Sequence, residues 1–168
     1  MIKLKWVTEN VPSEMEIRQV YGVVFNEEGK TLIRCELKKG KKVYSLAGGT
    51  PEPFETTMEE TLRREFVEEV NTTLKNEIYY IGYQEVDEDN GTPIYAQVRM
   101  TALIDEIGKL QPDPDTGDTY ERLLVSPKKA IELLSWGEIG EKLIISATKL
   151  ATEKFGIKPS EDDEIIFV

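Results

Sequence analysis

The stretch that most limits how this 168-residue chain can fold runs from Gly48 to Thr72, GGTPEPFETTMEETLRREFVEEVNT. It opens with a double glycine directly after the apolar run Val43 to Ala47. A strand therefore ends there in a tight turn, where backbone can come close to a ligand. A Pro-rich loop follows, and then Thr57 to Val70, which has no Pro or Gly and is rich in Glu, Arg and Leu. That composition predicts a helix. At about 100° per residue, Leu62, Phe66 and Val70 line up with Val67 beside them as a buried stripe. Glu65, Glu68 and Glu69 fall on an adjacent face, three carboxylates within one turn. Like-charged helix neighbours cost about 0.2–0.5 kcal/mol per pair, so the cluster makes most sense around a cation. Oxygen-only ligands favour Mg2+, Mn2+ or Ca2+ over zinc. Glutamate is also a good helix former, and acidic runs are ordinarily solvated faces. The glycine turn feeding into the helix is what makes the stretch read as a site for metal and phosphate.

Arg64-Glu65-Phe66-Val67-Glu68-Glu69-Val70, with Gly49 and Glu55 ahead of it, resembles the box of the Nudix hydrolases, G-x5-E-x7-R-E-U-x-E-E-x-G-U, where U is a bulky apolar residue. The REUxEEx core is matched without a substitution. Eight residues rather than seven separate Glu55 from Arg64. Either the loop holds one extra residue, or Thr56 sits where the family has its first Glu. Asn71 stands in place of the closing Gly and Thr72 at the next apolar position. Asn is the next-best residue for a left-handed C-cap, so the helix can still end there.

The resemblance implies an α+β fold, an α/β/α sandwich with a mixed β-sheet between helices. It also implies a pyrophosphohydrolase that uses Mg2+ or Mn2+ to hydrolyse a nucleoside diphosphate linked to another moiety, by water attack on phosphorus. Carried over residue by residue, Glu65, Glu68 and Glu69 would hold the metals and the carbonyl of Gly48 would add a ligand. Arg64 would orient Glu65 and its neighbours, with Glu55 as its partner. One of the glutamates, or a later loop acid, would take the proton from water, and the absence of His is no obstacle to that. Two other readings stay open: a Nudix-like module that binds nucleotide without turning it over, and an enzyme like isopentenyl-diphosphate isomerase, which would need a catalytic Cys. Asp87-Glu88-Asp89-Asn90 occupies the region where a Pro or Tyr can indicate substrate class in the family, so the substrate is not indicated.

The length suits one domain over residues 1–168, with residues 1–17 as an N-terminal extension or edge strand and 159–168 as an acidic tail. A net charge of −11 argues against a general nucleic-acid or anionic-membrane binder. A small nucleoside diphosphate derivative, bridged by metal, is the partner that fits. The lone Cys35 lies in an apolar strand and reads as a core thiol. No hydrophobic run approaches membrane-spanning length and MIKLKWVTEN lacks a signal-peptide core, so the expected location is the cytoplasm. Trp6 reads first as a core or flap residue and leaves a homodimer or substrate stacking open.

In chain order, Met1 to Val7 reads as an edge strand, and Arg18 to Phe25 and Thr31 to Leu37 as a strand pair. Lys38 to Lys42 is a basic loop around Gly40 that could steer phosphates, though a solvated turn is the simpler account. Ile78 to Val86 and Pro93 to Ile107 are long strands with the turn Asp87 to Thr92 between them, where Asn90-Gly91 is a hairpin signal. Some of Tyr79, Tyr80, Tyr83, Tyr95 and Arg99 must face the concave side. Gln111 to Asp118 is a loop whose Asp spacing fails the calcium-hand pattern at Gly117. Tyr120 to Val125 is a short strand, and helices follow from Ser126-Pro127 to Leu134 and from Glu138 to Phe155. The tail either frays or docks as an edge strand.

Overall fold

Period-two alternation decides which face of the sheet each side chain serves. In the strand Glu16–Phe25, Val20 and Val24 join one hydrophobic cluster, while Val23 and Phe25 join another. The computed structural model describes residues 1–168. It contains, in order, β1 (Lys3–Val7), β2 (Glu16–Phe25), β3 (Thr31–Lys38), β4 (Lys41–Ser45), β5 (Gly48–Gly49), α1 (Met58–Val70), β6 (Thr72–Asp87), β7 (Tyr95–Ile107), β8 (Glu121–Val125), α2 (Pro127–Leu134), α3 (Gly137–Phe155) and β9 (Ile166–Phe167). The first cluster places Leu62, Phe66 and Val70 of α1 against Val98, Met100 and Ala102 of β7. The second places Ala130 and Leu134 of α2 and Leu143, Ile144 and Ala147 of α3 against Ile33 and Leu123. Each large side chain so buried contributes about 1.5–3 kcal/mol. The sheet therefore lies between helical layers, the α+β sandwich that the sequence implies.

Strand order is β1-β6-β7-β2-β3-β8-β9, with β4 on β3 and β5 on β2. The β2–β7 pair is parallel and the others are antiparallel, so the sheet is mixed. Strands β2 and β3 share one pair, Phe25 with Thr31, and then part. Beyond it β2 takes Gly48 and Gly49, while β3 takes β4 and β8. The glycine turn enters this split, and α1 packs above it. Gly22 permits that packing, because a Cβ there would lie 2.7 Å from the Phe66 ring.

Thr57 caps α1 by accepting from the Glu60 N–H, and Glu59 and Glu60 suit the positive end of the helix. The other end stops at Asn71, in the left-handed conformation at φ 42 and ψ 50. Its Nδ2 donates to the Lys109 carbonyl at 2.7 Å, tying the loop after β7 to the helix. Arg122 reinforces this join by donating to the carbonyls of Val70 (2.8 Å) and Gly108 (2.7 Å). Asn71→Gly should lose only the side-chain bond, about 1 kcal/mol. Asn71→Ala should lose that bond and also incur left-handed strain, about 2–3 kcal/mol in all. Urea titration of the two variants measures the difference.

One segment differs from the sequence reading. Strand β6 begins at Thr72, directly after the helix and well ahead of Ile78. Bulges between Thr73 and Ile78 break its alternation there, so the period-two signal fades. The β6–β7 connection contains the expected turn Asp87 to Thr92, with Val86 and Tyr95 the last strand pair. Asp87 and Asn90 side chains fold it by accepting from the Asp89 and Thr92 N–H groups. Lys38 to Lys42 is the exposed turn expected there. Lys39 (φ 52) and Gly40 (φ 78) alone form the turn, as a hairpin with two left-handed residues does. The N-terminal strand β1 lies at the sheet edge on β6, and the tail docks through β9 on β8. Lys30 secures the tail by donating to the carbonyls of Asp162 and Glu164. No helix is long and apolar enough to cross a membrane.

Candidate active site

One guanidinium organises the acidic face of α1. Arg64 Nε donates to Glu55 Oε2 at 2.9 Å and Nη2 to Glu55 Oε1 at 3.1 Å, a bidentate pair. Its Nη1 reaches Glu65 Oε1 and Glu68 Oε2, both at 3.0 Å, and Nη2 also reaches the Thr50 carbonyl at 2.9 Å. The Glu55 side chain is 3% exposed. It also accepts from the Glu52 N–H and the Thr61 hydroxyl. The bond from Arg64 holds its carboxyl below the usual carboxylate range. Thr56 faces elsewhere, giving its N–H and hydroxyl to Glu60. The additional residue between Glu55 and Arg64 is thus taken up in the approach to Met58, and Glu55 meets Arg64.

Glu69 points to the strand side. Its Oε1 accepts from the Gly48 N–H at 2.8 Å, and its Oε2 pairs with Arg34 of β3. Gly48 sits at φ 151, and a Cβ there would meet the Val20 carbonyl at 2.2 Å. Only glycine fits. Burial pushes the Glu69 carboxyl up to about 7, against the opposing pull of Arg34 and the Gly48 N–H. Burial also raises Glu65 and Glu68. The charges of Glu65 and Asp113 add to the upward push on Glu69, and Asp115 does the same for Glu68. Asp113 is itself buried in the loop before β8, where it accepts from the N–H groups of Asp115 and Thr116.

The oxygen set therefore has the chemistry for a hard divalent cation. Its side-chain donors are carboxylates, and Glu65, Glu68 and Glu69 are all driven toward protonation by burial and by like charge, a burden that a cation relieves. Glycine leaves room for one of them, since a Cβ on Gly49 would lie 2.4 Å from Glu65 Oε1. In this conformation Arg64 and Arg34 meet the carboxylates, and no three acidic side chains converge on a common point.

A cavity of about 360 Å³ opens beside these groups, lined by Tyr21, Arg34, Gln84, Gln97, Arg99 and Trp136 among others. Of the aromatic and basic strand residues singled out in β6 and β7, only Arg99 lines it. Tyr79 packs on Phe155, Tyr80 donates to the Glu9 carbonyl, Tyr83 lies in the core, and Tyr95 stacks with Arg18. Trp6 packs on the second core cluster, close over Gly82. Cys35 is buried next to Glu36 and Tyr120 with its thiol pushed up by burial, and no thiol lines the cavity. Sequence reading missed Arg34, Asp113, Tyr21 and Trp136. A charged residue inside the apolar run TLIRCEL was the available signal for Arg34, because a buried cation needs a partner.

A mixed sheet between helical layers, with a glycine turn feeding a carboxylate helix at a split between strands, defines a class of α+β sandwich domains. The family model described as the NUDIX domain matches residues 15–146, and the chain belongs to this family. Solved structures agree on the fold. The Bacillus subtilis pyrophosphohydrolase BsRppH is similar at a TM-score of 0.66 and 21% identity, over 92% of this chain and 93% of that one. A Nitrosomonas europaea NUDIX hydrolase gives 0.58 at 17% identity, over 78% and 87%. A MutT protein of Bacillus halodurans gives 0.56 at 20% identity, over 75% and 78%. No curated protein matches the chain.

Proposed function

We propose that this protein is a divalent-metal-dependent pyrophosphohydrolase acting on a nucleoside diphosphate linked to another moiety. The observation that carries this reading is the Arg64-centred array of Glu55, Glu65 and Glu68, set beside Glu69 at the Gly48 turn. The family and the pyrophosphohydrolase and NUDIX hydrolase names of its structural neighbours support the reaction class.

In this reading Glu65, Glu68 and Glu69, with the Gly48 carbonyl, hold Mg2+ or Mn2+. Such an ion supplies charge neutralisation at the phosphoryl oxygens and a lowered pKa for attacking water. The chain's own groups do the rest. Arg64 fixes the carboxylates of Glu65 and Glu68, and Glu55 fixes Arg64. One of the glutamates, or a loop acid such as Asp113 whose charge bears on Glu65, Glu68 and Glu69, would take the proton from water. Arg34 draws positive charge to the side of Glu69 that faces the cavity. All these groups come from one chain of one domain, so a homodimer is not needed to complete the site. The cytoplasmic nucleotide pool would supply the substrate.

The second reading, a nucleotide-binding module without turnover, draws on the two guanidiniums that already meet the carboxylates. A phosphate-release screen separates the two. The purified protein with Mg2+ or Mn2+ is tested against nucleoside triphosphates, dinucleoside polyphosphates, ADP-ribose, sugar nucleotides and NADH, with Glu69→Gln as control. Turnover that is lost in the control is the expected result. Silence across the panel, with metal-dependent binding still visible as a thermal shift, would favour the module.

A further inference from the structure

Arg99 is a cation without a counter-charge. It is 3% exposed and makes no ion pair, in a chain with 32 acidic and 21 basic residues. Its only acceptors are the Gln97 carbonyl at 3.2 Å and Gln97 Oε1 at 3.5 Å, and its Nε has none. Burying an unpaired charge is strongly unfavourable, so such a group calls for an explanation. The other deeply buried arginine, Arg122, is saturated by three carbonyls and reads as structural. Arg99 differs because it lines the cavity.

The surroundings of Arg99 are built and leave it nothing further to bond. Gln97 Oε1 also accepts from Gln84, and Gln97 Nε2 donates to Gln19, so a row of amides across three strands holds the floor in place. The Tyr21 ring lies 4.7 Å and the Trp136 ring 6.0 Å from the guanidinium carbon. Tyr21 also connects the two ends of the cavity. It stands opposite Arg99 in β7 and opposite Gly48 in β5, whose N–H is bonded to Glu69. Arg34 lines the cavity and pairs with Glu69, so the space leads from the carboxylates toward Arg99.

Building on the hydrolase reading above, we propose that Arg99 is a specificity-determining residue that binds a second, non-reacting phosphate group of the substrate in this cavity. The preferred substrate then carries a phosphate remote from the anhydride that is cleaved at the α1 carboxylates. A guanidinium with unused donors, flanked by aromatic faces and shielded from water, is suited to hold phosphate.

The test is a binding titration in EDTA, where turnover is suppressed and the α1 carboxylates offer no metal bridge. Fluorescence of Trp136 is followed in a Trp6→Phe background while adenosine, adenosine 5′-monophosphate, adenosine 3′,5′-bisphosphate or inorganic phosphate is added. The phosphate-bearing nucleotides should bind at least about tenfold more tightly than adenosine. Arg99→Met should erase that preference, and Arg99→Lys should keep part of it. Arg99→Met should also melt no lower than its parent, because it removes an unpaired buried charge. Adenosine binding as tightly as its phosphates would mean that Arg99 reads a neutral acceptor, and would overturn the proposal. An unchanged preference in Arg99→Met, or its failure to fold, would overturn it too. An inactive protein that still binds phosphate through Arg99 would refute the hydrolase and keep the subsite. An active protein indifferent to Arg99 would do the reverse.

Discussion

Glu68→Gln is expected to lower turnover by roughly 10²–10³-fold, the range for removing one preorganised electrostatic group at a reacting centre. Its unfolding free energy should move by no more than about 0.5 kcal/mol. The two effects separate because of where Glu68 sits. Its side chain is 22% exposed and receives a single bond, from Arg64, which keeps Glu55 and Glu65 as partners without it. Gln keeps a neutral acceptor for Arg64, and the guanidinium retains Glu55 and Glu65, so no charge is left unmet. Glu69 is a poorer diagnostic of chemistry alone, since its carboxylate also anchors the Gly48 backbone and Arg34. If purified Glu68→Gln turned over at the wild-type rate with saturating Mg2+, the assignment of the α1 face to metal would be wrong.

Arg64→Ala should be the most damaging single change in the site, destabilising the fold by about 3–5 kcal/mol while abolishing activity. The loss follows from Glu55, which would remain nearly inaccessible with its charge unmet. Arg64→Lys should recover little of it, because an ammonium cannot span both Glu55 oxygens and reach Glu65, Glu68 and the Thr50 carbonyl at once. The double variant Glu55→Met/Arg64→Ala should regain much of the stability and none of the turnover, which urea titration and phosphate release read separately. Acid gives a further check. The folded-state pKa of Glu55 is lowered, so its contribution is present above the ordinary Glu pKa of about 4.3 and is lost as pH falls through the lower folded value. Glu55→Gln should flatten the wild-type loss of stability below about pH 4.

The helix and its ends were legible because their signals are local. Leu62, Phe66 and Val70 repeat at helical spacing, Thr57 caps, and Asn71 tolerates a left-handed turn. The choice between Glu55 and Thr56 was not legible, because it depends on the path of a loop rather than on spacing. The far side of the site was hidden for a different reason. Arg34, Tyr21 and Trp136 join Arg99 around one cavity from four separate segments, and do so only once β2 and β3 part. Period-two alternation gives each strand residue a face, but not which face is the concave one. Arginines embedded in apolar runs, RCEL and AQVRMTAL, were the residual clue, since buried cations occur where something must be met.

The Gly48 turn has one more consequence, for observation rather than catalysis. Its amide proton is held by the carboxylate of Glu69, at the boundary between β5 and α1. Loop and helix are thereby joined through one exchangeable hydrogen, whose protection rises or falls with the charge on that oxygen. The protein thus carries a backbone nucleus beside the α1 carboxylates that solvent-exchange or magnetic-resonance measurements can follow without any added label.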